Sequence, residues 1–370
     1  MEKRGAPLKI TAFLGGIFFL TDLLIPKTAS LLVARCITGI DLNKEKRISL
    51  PEGMGLVCSL VHVSASIFAF FFIWERKNRV EPLFSSISAF LCAIFGFIDD
   101  IISLRWRNKL FLPLLAAVPF LLVFDYERCS SFMFIKTKRT RNVSICIFHF
   151  LCVLFAAHSI NILAGINGLE ITQSFIISSA AIILKPLERN NKTPTSTLWI
   201  LLFTSGCLLK YNLYPARVFV GDSYCFFAGM IIANGWLMQG YPPQYILFIF
   251  PQLINFLLSI PQLLSLYPCP KHRMPCLSAD TKLLEKSSHN GKMNLTLLNI
   301  LLFVVKVDEK TALVFFALIQ ATCCLIGLYL QSIVDSRRIF SLIKIRSLAV
   351  KDKKHELRRS RKTACNLETL

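Results

Sequence analysis

Apolar residues in this chain arrive in blocks of about 15–22, the span of a helix that crosses a bilayer, with short polar segments between them. Of the 370 residues 54% are hydrophobic and 31 are Phe, more than a soluble chain of this length hides in one core. Few Gly or Pro interrupt the blocks and none alternates with period two. Helices, not barrel strands, therefore satisfy the backbone in lipid. The expected fold is all-α, a polytopic membrane protein built as a bundle of about ten transmembrane helices.

The blocks place helices over 8–26, 54–74, 83–98, 110–125, 143–161, 171–184, 198–210, 219–238, 244–264 and 311–333. The pieces 83–98, 171–184 and 198–210 are short, so nine or eleven spans also fit. An apolar stretch near 295–305 is too short to span and reads as re-entrant or interfacial. The first block, Leu8 to Pro26, lacks an A-x-A-like cleavage site and is expected to stay as a signal-anchor helix. Residues 1–336 read as one integral-membrane domain, with a site built from segments 27–53, 99–109, 161–170, 211–222 and 265–294. Residues 337–370 read as a basic tail.

A net charge of +20 would point to nucleic acid in a soluble protein. Here the basic residues sit between apolar blocks, where they serve orientation, lipid headgroups and anionic ligands, so a lipid bilayer and no nucleic acid is the expected partner. The 13 cysteines form no CxxC pair; Cys146, Cys152 and Cys323-Cys324 read as small buried hydrophobes. Cys269, His272 and Cys276 are close enough for a metal reading, but a metal site there is not expected.

Every chemistry-bearing polar motif falls in an odd-numbered loop or at its border, so alternating spans bring them to one membrane face. Lys and Arg are nearly balanced between odd and even loops, and the positive-inside rule leaves orientation open. The basic tail argues for cytosolic even loops. The sequons Asn142-Val-Ser144 and Asn191-Lys-Thr193, the second weakened by Pro194, argue for luminal ones.

The most constrained motif is Phe219-Val-Gly-Asp222, a lone acid at the mouth of a membrane-length helix. An intramembrane carboxylate is costly unless a cation holds it. It reads either as a Mg²⁺ ligand beside a base-stacking Phe219, or as a buried acid paired with Lys210 or Arg217. Asp99-Asp100 end the third block, with Arg105, Arg107 and Lys109 following. Adjacent acids repel unless Mg²⁺ or a base offsets them, though an acidic cap beside juxtamembrane arginines also fits. In Asn161-Ile-Leu-Ala-Gly-Ile-Asn167-Gly-Leu-Glu170, two amides flank a glycine. Such amides ligate Mg²⁺ or read a base edge, while a helix C-cap explains only Asn167-Gly168. Lys271-His272-Arg273, bracketed by prolines, is a rigid cationic triplet or a plain juxtamembrane turn. Together they describe a nucleotide-diphosphate site for phosphoryl transfer. The chain has no GxxxxGK[ST] loop, and no internal repeat of the transporter kind.

These stretches, with Asp41-Leu-Asn-Lys44, Leu104-Arg-Trp-Arg-Asn-Lys109, Arg217-Val-Phe-Val-Gly-Asp222, Ser259-Ile-Pro-Gln-Leu263 and Pro268-Cys-Pro-Lys-His-Arg-Met-Pro275, resemble the eukaryotic UDP-N-acetylglucosamine–dolichyl-phosphate N-acetylglucosaminephosphotransferases. These belong to the polyprenyl-phosphate sugar-1-phosphate transferases, and the resemblance spans nearly the whole chain. It implies attack of dolichyl phosphate on the β-phosphorus of UDP-GlcNAc, giving GlcNAc-pyrophosphoryl-dolichol and UMP. It further implies an endoplasmic reticulum membrane location with the odd loops and active site on the cytosolic face, luminal termini, a homodimer and inhibition by tunicamycin. Asn161 and Asp222 match the family's Mg²⁺ ligands. Asn167 and Phe219 match its uracil-recognising pair, with Asp41, Leu42 and Glu52 nearby. Lys109 matches the lysine that meets the acceptor phosphate, and Lys271, His272 and Arg273 match the pyrophosphate and sugar clamp. Asp99 and Asp100 match an acidic pair whose role stays open between metal positioning and general base.

The chain departs from the pattern at Ser103, where the family has an amide or acid, and at Lys271, where arginine is common. Segment 277–292 is also shorter than in animal members. Three rival readings stand beside this one: the same chemistry on another UDP-sugar or polyprenyl phosphate, a non-catalytic nucleotide-sugar-binding membrane protein, and a nucleotide-sugar transporter.

Overall fold

The computed structural model describes residues 6–102, 104, 106–129, 137–187, 195–270 and 273–334. Its helices are α1 Ala6–Ala34, α2 Gly55–Phe72, α3 Val80–Ile102, α4 Trp106–Val123, α5 Lys138–Ile162, α6 Leu169–Leu187 and α7 Ser196–Asn212. They continue with α8 Gly221–Met238, α9 Tyr245–Phe248, α10 Phe250–Leu263, α11 Leu297–Val304 and α12 Glu309–Val334. Five of them (α1, α2, α3, α5 and α12) are long and apolar enough to cross a membrane. The chain is an all-α polytopic membrane protein, and each expected block corresponds to a helix or, in one case, a pair.

The bundle is organised around α8, which is buried on all sides from Ser223 to Met238. Three glycines let neighbours reach it. A Cβ on Gly55 of α2 would lie 2.0 Å from the Tyr224 backbone, one on Gly96 of α3 2.6 Å from the Asp222 carbonyl, and one on Gly229 of α8 2.6 Å from Ala157 of α5. Small residues at crossings are how helices associate in lipid, where no hydrophobic force separates them from the solvent. The outer helices instead turn large apolar side chains outward, among them Phe72 at 74% exposure and Leu122 at 80%. Between helices, buried polar side chains supply the glue. His149 bridges Tyr241 and Asn234 at 3.0 Å each, and Gln252 of α10 reaches both Gln173 of α6 and Gln320 of α12 at 2.6 Å.

Several boundaries differ from expectation for identifiable reasons. α1 does not stop at Pro26 but runs to Ala34, which shortens the first site segment; a proline is tolerated where neighbouring helices re-satisfy the freed carbonyl. The expected 244–264 helix breaks at Ile249, because Pro251 has no N–H to give the Leu247 carbonyl and its ring crowds that carbonyl, whereas a proline is tolerated in the first turn of the new helix. α3 extends to Ile102, so Asp99 and Asp100 lie in its last turn instead of a loop. The 295–305 stretch is the eight-residue α11, started by Thr296, whose hydroxyl accepts the Asn299 N–H.

The loops at one end of the bundle carry short antiparallel hairpins that periodicity did not reveal: β1 Thr38–Asp41 with β2 Ile48–Pro51, β3 Cys276–Leu277 with β4 Leu284–Glu285, and β5 Ser288–His289 with β6 Lys292–Met293. A satellite core of Leu163, Ile166, Leu169, Leu284, Leu298, Leu302, Ala312 and Phe316 fastens the β3–β4 hairpin and α11 to the α5–α6 loop and α12. At the other end Glu81 accepts from Arg128 at 2.5 Å and from the Asp125 N–H at 3.1 Å, joining the even loops. Asn142 lies in the second turn of α5, partly buried, so its sequon is not in the exposed loop that an acceptor needs.

Gly229→Val would drive a branched side chain into the α5 backbone at a close helix crossing. A loss of about 1–3 kcal/mol is expected, read as a lower melting temperature of the detergent-solubilised protein.

Candidate active site

Five of the expected residues meet where α3, α4, α5 and α8 end. Asp222 accepts from the Asn161 Nδ2 and, through Oδ2, from Lys109 Nζ at 3.2 Å. Lys109 also forms an ion pair with Asp99, whose Oδ1 accepts the Leu104 N–H at 2.7 Å. The alternative partners are excluded: Lys210 pairs with Asp22 at 2.8 Å, and Arg217 lies over the Tyr211 ring. Among the described residues one lysine thus faces Asp99 and Asp222 together.

Asp100 does something else. Successive helical residues point about 100° apart, and Asp100 turns to the first turn of α8. Its Oδ1 accepts the Asp222 N–H at 2.6 Å and its Oδ2 the Ser223 N–H at 3.2 Å. These are amides left without partners at a helix start, where a carboxylate also meets the positive end of the dipole. The approach requires glycine. Gly221 has φ +72° and a Cβ there would lie 2.2 Å from Asp100 Oδ2; Gly53, with φ +89°, packs against it, its Cα 2.8 Å from the same Cβ position.

The donors around Asn161 and Asp222 are carboxylate and amide oxygens, the set a hard cation such as Mg²⁺ takes. Among the described residues no three His, Cys, Asp or Glu side chains form a closed metal cage. That fits Mg²⁺, which binds through one or two carboxylates and completes its shell with water and substrate phosphates. Asn161, with its amide nitrogen turned to Asp222, keeps its carbonyl oxygen for a cation.

A second cluster adjoins the first through the α5–α6 loop. Asn167 donates from Nδ2 to Asp41 Oδ2 at 3.1 Å, and its backbone N–H donates to Glu309 Oε1 at 2.6 Å. Lys44 reaches Asp41 at 3.2 Å, Asn167 Oδ1 at 3.4 Å and Glu309. Gly39 shares a strand face with Asp41, about 7 Å along β1, and a Cβ on it would touch Phe219 and Glu52 at 3.0 and 2.8 Å. The partly exposed ring of Phe219 and the amide of Asn167 are thereby both tied to the same face of β1. Asn212 joins their loops by accepting the Gly168 N–H at 2.9 Å and donating to the Val218 carbonyl at 2.8 Å.

Leu42 lines a cleft of about 730 Å³ with Lys44, Pro270, Met274, Pro275 and Lys282. The cleft runs outward along the short hairpins; its lining does not include Asn161, Phe219 or Asp222. Pro275, two residues after Arg273, faces Gly165 of the α5–α6 loop. Arg273 Nη1 is shut off from solvent and has no hydrogen-bond partner among the described residues, and burial lowers the guanidinium from its ordinary value. A cation so placed favours an anion. Ser103, Arg105, Lys271, His272, the Asn191 sequon and the tail lie outside the described residues. Cys269 and Cys276 are exposed thiols outside any disulfide.

Sequence reasoning passed over Glu309 and Asn212 and used Lys44 only as part of a motif. Glu309 stands in Asp308-Glu-Lys310, which reads as a solvated helix start. Asp308 does cap that helix, accepting from Lys310 N, Thr311 N and the Thr311 hydroxyl.

Residues 83–239 match the glycosyl transferase family 4 profile. The UDP-N-acetylglucosamine–dolichyl-phosphate N-acetylglucosaminephosphotransferase of Dictyostelium discoideum is 32% identical over 361 residues, covering 84% of this chain and 86% of that protein. The Schizosaccharomyces pombe protein of that name is 31% identical over 74% of this chain and 72% of its own. The Saccharomyces cerevisiae one is 31% identical over 79% and 76%.

Asp100→Ala should destabilise the protein by about 0.5–2 kcal/mol, as loss of a helix N-terminal partner does, with faster hydrogen exchange at the Asp222 and Ser223 amides. Burial pushes Glu52 above its ordinary value near 4.5, so its ionised form opposes folding and stability falls as pH rises through that value. Glu52→Gln should therefore melt higher than wild type at pH 7, with the gain vanishing below pH 4.5.

Proposed function

The chain belongs to the family of UDP-N-acetylglucosamine–dolichyl-phosphate N-acetylglucosaminephosphotransferases, and we propose that it transfers GlcNAc-1-phosphate from UDP-GlcNAc to dolichyl phosphate. The products are GlcNAc-pyrophosphoryl-dolichol and UMP, the first step of lipid-linked oligosaccharide synthesis for N-glycosylation. The observation that carries this reading is the meeting of Asn161, Asp222, Asp99 and Lys109 beside a second cluster in which β1 ties Asn167 through Asp41 and Phe219 through Gly39. One cluster suits two phosphates and a divalent cation, the other a planar base.

Uracil stacks on Phe219 and pairs with Asn167. Asn161 and Asp222 would hold Mg²⁺, which when bound would supply positive charge to the diphosphate and the departing UMP. Lys109 has three N–H donors; two face Asp99 and Asp222, and the third is free for the acceptor phosphate. The two carboxylates fix the ammonium in place, so the lipid phosphate is delivered in one orientation toward the β-phosphorus. That phosphate is already ionised near pH 7 and needs no strong base, so direct displacement is the mechanism and Asp99 and Asp100 act as positioning groups. Arg273, with Lys271 and His272, neutralises the pyrophosphate.

An apolar groove of about 280 Å³ between α4 and α5, lined by Phe111, Leu114, Leu115, Val118 and Phe150, begins within a turn of Lys109. It supports an acceptor whose phosphate meets Lys109 while its hydrocarbon tail stays in lipid. By family resemblance the protein lies in the endoplasmic reticulum membrane, with this end of the bundle in the cytosol, pairs as a homodimer and is inhibited by tunicamycin.

The test is transfer from labelled UDP-GlcNAc to dolichyl phosphate in detergent. Product and UMP should form with Mg²⁺, vanish with chelator and return when the metal is restored. Asp222→Ala should lower kcat at least about 100-fold without loss of a cooperative melt. Turnover in that variant, or faster transfer from another UDP-sugar, would overturn the metal site or the sugar assignment respectively.

A further inference from the structure

The Asn167 side chain is gripped at both ends by groups with no choice of role. Its Nδ2 faces Asp41 Oδ2 at 3.1 Å and its Oδ1 faces Lys44 Nζ at 3.4 Å. An ionised carboxylate only accepts and an ammonium only donates, so these partners allow one orientation of the amide. Turned by 180°, the amide would set its nitrogen against the ammonium and its oxygen against the carboxylate. Asp41, Asn167 and Glu309 are 3%, 6% and 4% exposed, so little water is present to relieve the clash.

Lys44 is itself held. It bridges Asp41 at 3.2 Å, pairs with Glu309 and sits 4.4 Å above the Tyr214 ring. Glu309 also accepts the Asn167 backbone N–H at 2.6 Å, so main chain and side chain are referred to the same group.

An amide carries two N–H groups and two carbonyl lone pairs. Asp41 and Lys44 take one of each. What remains is one donor beside one acceptor, in a fixed left-to-right order. Uracil offers the complement, a carbonyl oxygen next to the N3–H. Cytosine offers an amino group next to a bare ring nitrogen, the reverse order, and its other edge has two acceptors. We propose that Asp41, Lys44 and Glu309 are specificity-determining residues that lock the Asn167 amide in the orientation that takes uracil and refuses cytosine. This rests on the uridine-nucleotide reading of the site and adds to it the groups that enforce the base. Asp41 and Glu309 act through Asn167 as positioning residues; neither needs to touch the nucleotide.

The experiment compares dissociation constants of UMP and CMP, by displacement of labelled UDP-GlcNAc from the full chain in detergent. Wild type should prefer UMP by at least about tenfold, the discrimination expected of one well-made pair of base hydrogen bonds. Lys44→Met should bring that ratio down by roughly tenfold, and Glu309→Gln should move it in the same direction. Lys44→Arg, which keeps the donor, should retain it. Asp41→Asn lets either end of the Asn167 amide face position 41, and should also relax the ratio if Lys44→Met does not fold. Equal weakening of UMP and CMP in these variants, with the ratio unchanged, would show a merely structural role and overturn the lock. A wild type that binds both nucleotides equally would overturn it too, leaving the nucleotide-sugar reading standing. A wild type that binds neither nucleotide nor UDP-GlcNAc would refute the uridine reading, and the lock with it.

Discussion

The carboxylate of Asp100 on the exposed amides of α8 is the contact from which the rest of the site takes its position. α8 is the buried axis of the bundle, and its first turn carries Asp222. By accepting the N–H groups of Asp222 and Ser223, Asp100 ties the end of α3 to the start of α8. That contact holds Asp99, its neighbour, where it meets Lys109. Gly221 and Gly53 exist in their left-handed conformations because nothing larger fits between the two helix ends and the chain leaving β2. Anchoring of helix ends, ion pairing and placement of the cation ligands are therefore one arrangement.

A repeated device appears at both ends of the site. Two pairs of adjacent acids each divide their labour: Asp100 secures a helix start while Asp99 turns to Lys109, and Asp308 caps α12 while Glu309 turns to Asn167. Helical phase explains the division, since successive side chains leave the axis in different directions. Asp308 makes α12 begin at a defined residue and so aims Glu309, whereas Asp100 secures the start of α8 from the last turn of α3, whose phase aims Asp99.

This also explains what was legible in the sequence. Helical blocks followed from hydrophobic length, and Asp222, Asn161 and Lys109 followed from polar groups standing where apolar runs end. The hairpins were not legible, because four-residue and two-residue strands have too few positions to show a period. The continuation of α1 past Pro26 was hidden by a rule that holds best in water. Glu309 was missed because an acid flanked by an acid and a lysine looks like a solvated cap, and only the fold shows which of two adjacent carboxylates faces inward. Asn212 gave no signal at all; its amide joins two loops through backbone groups that sequence cannot pair.

The partnership of Asn167 with Glu309 crosses 142 residues and reaches into the last helix described. A ribosome adding about 5–20 residues per second leaves the Asn167 loop without that partner for roughly 7–28 s. During that interval α3, α5 and α8 can already be threaded and joined, so the Asp99–Lys109–Asp222 cluster is assembled before Asn167 has its anchor. The Asn167 cluster is thus completed only as α12, the last helix described, arrives, and a nascent chain halted before α12 would carry the first cluster with the second still loose.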